Sequence, residues 1–326
     1  MYKIPDLTLN NGRTLPIIGL GTWQGVPGEV DRAVGEALKV GYRHFDCAPI
    51  YDNEEAIGNI LKKAIDGGEV TRDELFITTK LNMFTNEPAL VRATFEGSLK
   101  ALQTGYIDLY LIHLPISINK EQVAIQGMKS PLERAPNPST FFNHTDLVGI
   151  WREFEKLVDE GLVKSIGLSN FNEKQIQTIL DHSRIKPANL QVECHPYLPQ
   201  NQLLAFAKKN NIVLTAYSPL GSPQATAVHR TGGGKVLLQD PVLKKIAERH
   251  GKSVAQVLLH WQIQRGVGVL PKSVKRERLE ENFSSLSFNL STEDINEIND
   301  LGKEPLRYVD FAAWRDSPDY PFEQPQ

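Results

Sequence analysis

Cysteine is scarce in this 326-residue sequence: there are two, Cys47 and Cys194, neither in a CxxC pair. That argues against a disulfide framework and points to buried thiols in a reducing compartment. Long apolar runs are missing too. None approaches the roughly 20 residues a membrane helix needs, and the N-terminal MYKIPDLTLNNG has no signal-peptide core. No membrane association and a cytoplasmic location are therefore expected. Neither charge is in excess, with 36 Lys and Arg against 39 Asp and Glu. Such a balance gives no reason to expect a nucleic-acid partner, and any basic site must be local.

The common phosphate-binding signatures also fail. GLGTWQG at 19–25 has glycines at the wrong spacing for a GxGxxG fingerprint, and in TGGGK Val236 follows the lysine where a P-loop has Ser or Thr. The one close His/Cys/acid cluster, Glu193-Cys194-His195, lacks ligand spacing, because neighbours on a strand end face opposite ways. It reads as structural, and no metal is expected.

What the chain does have is rhythm. Eight short apolar runs recur: IIGLGT, RHFDCA, LFITTK, IDLYLIHL, SIGLSN, LQVEC, IVLTAYS and VGVLPKS. Between them lie segments such as VDRAVGEALKV, NEEAIGNILKKAI and DLVGIWREFEKLVDEG, whose apolar residues fall three to four apart. Strands without polar alternation, each followed by an amphipathic helix, imply a parallel sheet covered by helices; eight such units predict an α/β fold of the (β/α)8 TIM-barrel type. One domain over 1–326 is expected, and nothing calls for more than a monomer. LTLNNGRTLP predicts an N-terminal β-hairpin lid. Residues 115–145 and 219–239 form two long active-face loops. DPVLKKIAERH and STEDINEINDLG predict extra C-terminal helices, the second opened by a Ser/Thr cap, and Asn53 reads as the cap of the NEEAIGNILKKAI helix, with Glu54 and Glu55 in its first turn. The tail 303–326, with five aromatics and no helical period, is expected to pack near the active face.

Four polar groups stand where strands end: Asp46, Tyr51 five residues on, Lys80 and His113. Singly, each has a structural explanation. Asp46 could pair with Arg43, Lys80 could be a solvated strand end, and His113 a satisfied core residue. On three consecutive strand ends they converge on one mouth. The chemistry that fits is proton delivery by a phenol, with an ammonium stabilising its phenolate and a carboxylate holding that ammonium. A histidine alongside would orient a carbonyl oxygen. Reducing a carbonyl also needs a hydride, which side chains cannot supply and a nicotinamide can. PKSVKRERLEENF, at the eighth strand and the following helix, places Lys272 and Ser273 near Arg278 and Asn282, a set suited to a phosphate monoester. Its alternative is a solvated basic helix in which cations alternate with acids.

GYRHFDCAPIYDNEEAIG, LFITTKL, IDLYLIHLP, GLVKSIGLSNFN, NLQVECHPYL, TAYSPLGSP, VLPKSVKRERLEENF and the DYPF of the tail resemble, in order, the motifs of the aldo-keto reductases, nearest to the aldose and aldehyde reductase group. The tail resembles invertebrate members. The resemblance implies NADPH/NADP+ as cofactor, Tyr51 as general acid tuned by Asp46 and Lys80, and His113 as the substrate-orienting group. It further implies that Ser169, Asn170 and Gln191 hold the nicotinamide carboxamide, that Tyr217 stacks on the ring, and that Ser218, Leu220 and Ser222 lie along the pyrophosphate. Lys272, Ser273, Arg278 and Asn282 would take the 2′-phosphate, with Gly21, Thr22 and Trp23 at the reactive end. Asn82 and Leu114 stand where aromatics are expected, and Phe141 and Phe142 in the long loop are either packing or a substrate wall. The pocket is therefore expected to be wider or more polar, for a small-molecule carbonyl bulkier than an aldose, steroid- or terpenoid-like. Two alternatives remain, a non-catalytic NADPH-binding protein and an aldolase forming a Schiff base at Lys80.

Overall fold

A computed structural model describes residues 6–26, 28–131, 133–223 and 235–322. The eight apolar runs become strands β1 (Leu20–Gly21), β2 (His44–Asp46), β3 (Phe76–Leu81), β4 (Ile107–Ile112), β5 (Val163–Ser169), β6 (Asn189–Glu193), β7 (Val213–Tyr217) and β8 (Gly268–Leu270). They pair in parallel, each with its sequence neighbour. Gly19 N–H donates to Val269 O at 2.9 Å, and Val269 N–H to Ile17 O at 2.8 Å. A parallel bridge between Ile18 and Val269 thus joins the first strand to the last and closes the barrel.

Helices α1 (Val30–Val40), α2 (Glu54–Asp66), α3 (Pro88–Ala101), α4 (Leu147–Asp159), α5 (Glu173–His182), α6 (Asn201–Lys209), α7 (Pro241–His250), α8 (Val254–Gln264), α9 (Arg276–Phe283) and α10 (Thr292–Asp300) cover the sheet and its ends. Each amphipathic helix turns its apolar stripe inward; in α1 that stripe is Val30, Ala33, Val34, Ala37 and Leu38. Caps set several starts. Asn172 with Gln175, Ser253 with Gln256 and Ser291 with Asp294 form reciprocal capping boxes, and Asp240 accepts from the Val242 and Leu243 amides. Both expected extra helices, α7 and α10, are present.

The predicted hairpin pairs Asp6–Thr8 with Thr14–Pro16 through a turn in which Gly12 takes φ +80°. Leu9 and Leu15 pack on Phe76, Leu109 and Ala188, so the hairpin plugs the floor of the barrel, opposite the strand C-termini. The connection after β4 has its own small structure. Ser117–Ile118 pairs with Phe142–Asn143, and a short helix spans Glu121–Ile125. The glycines of TGGGK lie outside the described residues. Among the described residues no helix is long and apolar enough to cross a membrane.

Candidate active site

Strand ends β2, β3 and β4 bring the polar quartet together. Lys80 is the exception in a strand buried at all six positions, and none of its side chain is exposed. An ammonium so placed needs a partner for each of its three protons. Nζ finds Asp46 Oδ2 at 2.7 Å, Cys47 O at 3.0 Å and Tyr51 Oη at 3.3 Å. The remaining oxygen of Asp46 accepts from Gln191 Nε2 at 2.7 Å. The structural explanation for Asp46 fails, since Arg43 donates to the Leu38 and Tyr42 carbonyls. Because the Tyr51 oxygen accepts from Lys80, its own proton is left to point into the cleft.

Tyr51 and His113 meet edge to face, centroids 5.7 Å apart at 82°. Their environments drive them in opposite directions. Burial, reinforced by Asp46, holds the Tyr51 phenol well above its ordinary pKa, while burial and then Lys80 hold His113 well below its own. The free phenol therefore stays protonated, with the Lys80 ammonium 3.3 Å from its oxygen. His113 is neutral and has one N–H to give, with Nδ1 buried and unpartnered.

Around the quartet runs a cleft of about 740 Å³, within the range of small-ligand and cofactor sites. Every proposed cofactor residue lines it: Gly21, Thr22 and Trp23 beside the quartet, Ser169, Asn170 and Gln191 at strand ends β5 and β6, and Tyr217, Ser218, Leu220 and Ser222 after β7. Lys272, Ser273, Arg278 and Asn282 complete the lining after β8. Asn170, at φ +63°, is an organiser: its Nδ2 donates to His113 O at 2.9 Å and to Ser169 Oγ at 3.2 Å, while Tyr217 Oη donates to its Oδ1 at 2.7 Å. That fixes the plane of the Tyr217 ring. The solvated-helix alternative for PKSVKRERLEENF accounts for Arg276, which pairs with Glu36 and Glu280, and not for Lys272 and Arg278, which line the cleft and make no ion pair among the described residues.

Other expectations need correction. Asn53 does not cap α2: its amide donates to Thr22 O at 2.9 Å and Gly25 O at 2.8 Å, tying the β1 loop down beside the site. Glu54 does stand in the first turn of α2, and there it is buried, accepting from Thr79 and from Ser98. Phe141 and Phe142 are packing; with Met83, Leu114, Ile116, Ile118 and Trp314 they form the core of the long connection. Asn82 Oδ1 accepts from Phe84 N–H, and neither Asn82 nor Leu114 lines the cleft. The aromatics arrive from the tail, where Phe311 and Trp314 line the cleft and stack at 5.2 Å. The sequence leads to the expectation of a tail near the active face, but its spacing does not show which residues line the cleft, because the tail has no periodicity and its contacts are long-range.

The aldo/keto reductase family model matches residues 17–303. Aldo-keto reductase family 1 member A1 of Gallus gallus is 42% identical, over 98% of this chain and 98% of that protein. Its Homo sapiens counterpart is 41% identical over 97% of this chain and 98% of its own. A solved aldose reductase from Schistosoma japonicum superposes with a TM-score of 0.87 at 43% identity, covering 98% of this chain and 99% of that one.

Proposed function

The chain belongs to the aldo/keto reductase family, an oxidoreductase family acting on carbonyl groups, and from that premise we propose that it reduces an aldehyde or ketone with NADPH, Tyr51 delivering the proton. One observation carries this reading. A fully buried Lys80 joins Asp46 to Tyr51 beside a cleft whose lining also carries Lys272 and Arg278. A bound reduced nicotinamide supplies the hydride.

The residues divide the remaining work. His113 donates its single N–H to the carbonyl oxygen and fixes its direction. Tyr51 O–H then protonates that oxygen as negative charge develops on it, and the phenolate left behind sits 3.3 Å from the Lys80 ammonium. Asp46, braced by Gln191, holds that ammonium in place. Elsewhere in the cleft lining, the Lys272 and Arg278 cations suit a phosphate monoester, which favours NADPH over NADH. Ser169 Oγ, the second lone pair of Asn170 Oδ1 and Gln191 Oε1 remain for a carboxamide, since both Asn170 amide protons are taken. Lys80 does not line the cleft, which disfavours the Schiff-base aldolase. Trp23, Ile50, Met83, Val309, Phe311 and Trp314 make an apolar substrate end, which supports a carbonyl bulkier than an aldose.

The test is consumption of NADPH, followed by nicotinamide absorbance, across sugar, aromatic and steroid- or terpenoid-like carbonyls. Turnover of small aldoses alone would sink the bulky-substrate reading. The pH profile identifies the acid. A phenol with a raised pKa stays protonated as pH climbs, so reduction should hold level through neutral pH and fall only above the ordinary range of a phenol, while alcohol oxidation, which needs the phenolate, gains there. Loss of reduction already on the acid side of neutrality would instead make protonated His113 the acid. For the cofactor, Arg278→Ala should weaken NADPH binding by about 10- to 100-fold and leave NADH nearly unchanged, as measured by fluorescence titration. Equal losses for both would remove Arg278 from the 2′-phosphate site.

A further inference from the structure

The Glu193-Cys194-His195 cluster takes no part in the chemistry above, yet it is built at some cost. Glu193 ends β6 and its side chain is wholly enclosed, as is that of His195. A carboxylate buried there gives up hydration that an apolar side chain would not, so its donors show its purpose. Two of them come from the tail. Tyr308 N–H donates to Oε1 at 2.6 Å and Val309 N–H to Oε2 at 2.9 Å, and His195 Nε2 donates to Oε1 at 2.8 Å. The carboxylate only accepts, so Nε2 carries the imidazole proton; Nδ1, buried without a partner, is then a bare lone pair and not an orphaned N–H. Leu306 N–H adds a second main-chain tie, to Tyr197 O at 2.8 Å.

Immediately beyond this grip, the tail builds the substrate wall. Val309 lines the cleft, Phe311 adopts a left-handed φ of +51°, and a short turn over Ala312–Trp314 brings Trp314 beside it. A phenylalanine in that backbone region persists only where the surroundings hold it. Glu193 holds one side, and on the other Trp314 Nε1 donates to Pro131 O at 2.8 Å. We infer that Glu193 and His195 are positioning residues, a buried clamp on the main chain of Tyr308 and Val309 that keeps the Phe311 and Trp314 wall in register over the substrate. The inference rests on the reading of that end of the cleft as the carbonyl site. The clamp grips two backbone amides and also pairs with the tail's Arg307 side chain at 3.9 Å, and it touches none of Asp46, Tyr51, Lys80 and His113.

The experiment is steady-state kinetics on Glu193→Gln, together with hydrogen exchange at the Tyr308 and Val309 amides. Glutamine has one oxygen where the carboxylate has two, so one of those amides loses its acceptor. KM for the carbonyl should rise about tenfold or more, with kcat within about threefold and NADPH affinity within about twofold, and exchange at the two amides should accelerate. If Glu193→Gln does not fold, His195→Gln, which keeps a side-chain donor, decides the matter by a smaller rise in KM at retained kcat. An unchanged KM, or a kcat that falls alone, overturns the clamp. An unaltered protein that binds NADPH and reduces no carbonyl refutes the functional reading instead, and the exchange rates then judge the clamp: no acceleration in Glu193→Gln overturns it.

Discussion

Replacing Tyr51 by phenylalanine is expected to lower the turnover of carbonyl substrates by about 10²- to 10⁴-fold, the usual worth of a positioned general acid. Only one atom changes, and it is the one that accepts from Lys80 and faces the cleft. NADPH affinity should stay within about twofold, because Lys272, Arg278 and the strand-end amides are untouched. His113 cannot take over: burial and Lys80 keep it neutral, so it has no acidic proton to give near pH 7. Single-turnover kinetics with the cofactor preloaded separate the lost proton from any change in binding. A variant that keeps more than a tenth of the activity would move the acid elsewhere, and a parent that binds NADPH but turns over nothing would favour the non-catalytic alternative.

Lys80→Met should damage stability and rate together. It leaves Asp46, with 5% of its side chain exposed, as a buried carboxylate whose Oδ2 has lost its partner and whose Oδ1 keeps only Gln191. Removing one member of a buried pair costs about 3–5 kcal/mol. For a chain of this size that lowers the thermal midpoint by roughly 4–8 °C, measured by calorimetry. The phenolate left after proton transfer also loses the adjacent ammonium, so kcat should fall by about 10²-fold or more. The double variant Asp46→Asn with Lys80→Met distinguishes the two effects. It should regain most of the lost stability, since no unpaired charge stays buried, and none of the rate. Recovery of activity in the double variant would mean that the pair serves only the fold.

Much of the fold and of the polar quartet is legible in the sequence, for a physical reason. Period and punctuation are local, so the eight strands, the covering helices, the hairpin and the cap at Ser291 can be read from short windows. In a parallel barrel, the C-terminal ends of the strands share one face whatever the loops do. Asp46, Tyr51, Lys80 and His113 can therefore be placed together from their positions alone. Assignments that treat a residue by its local role are the ones that fail. Asn53 has the position of a helix cap and spends its amide on Thr22 and Gly25. Glu54 keeps its place in the first turn, but its burial and its bonds to Thr79 and Ser98 are not visible in that spacing.

The order of elements, the face that carries chemistry and the four groups proposed to perform it are set by the amino-acid sequence by itself, because each depends on spacing along the chain. Tertiary structure alone decides which of two chemically plausible partners a buried polar group takes, since that choice is made between segments more than 100 residues apart. Gln191 turns to Asp46, and Glu193 to the amides of Tyr308 and Val309. It also decides the direction in which Tyr51 and His113 titrate: the order of the residues shows charges nearby, but only the folded chain shows how much water has been removed.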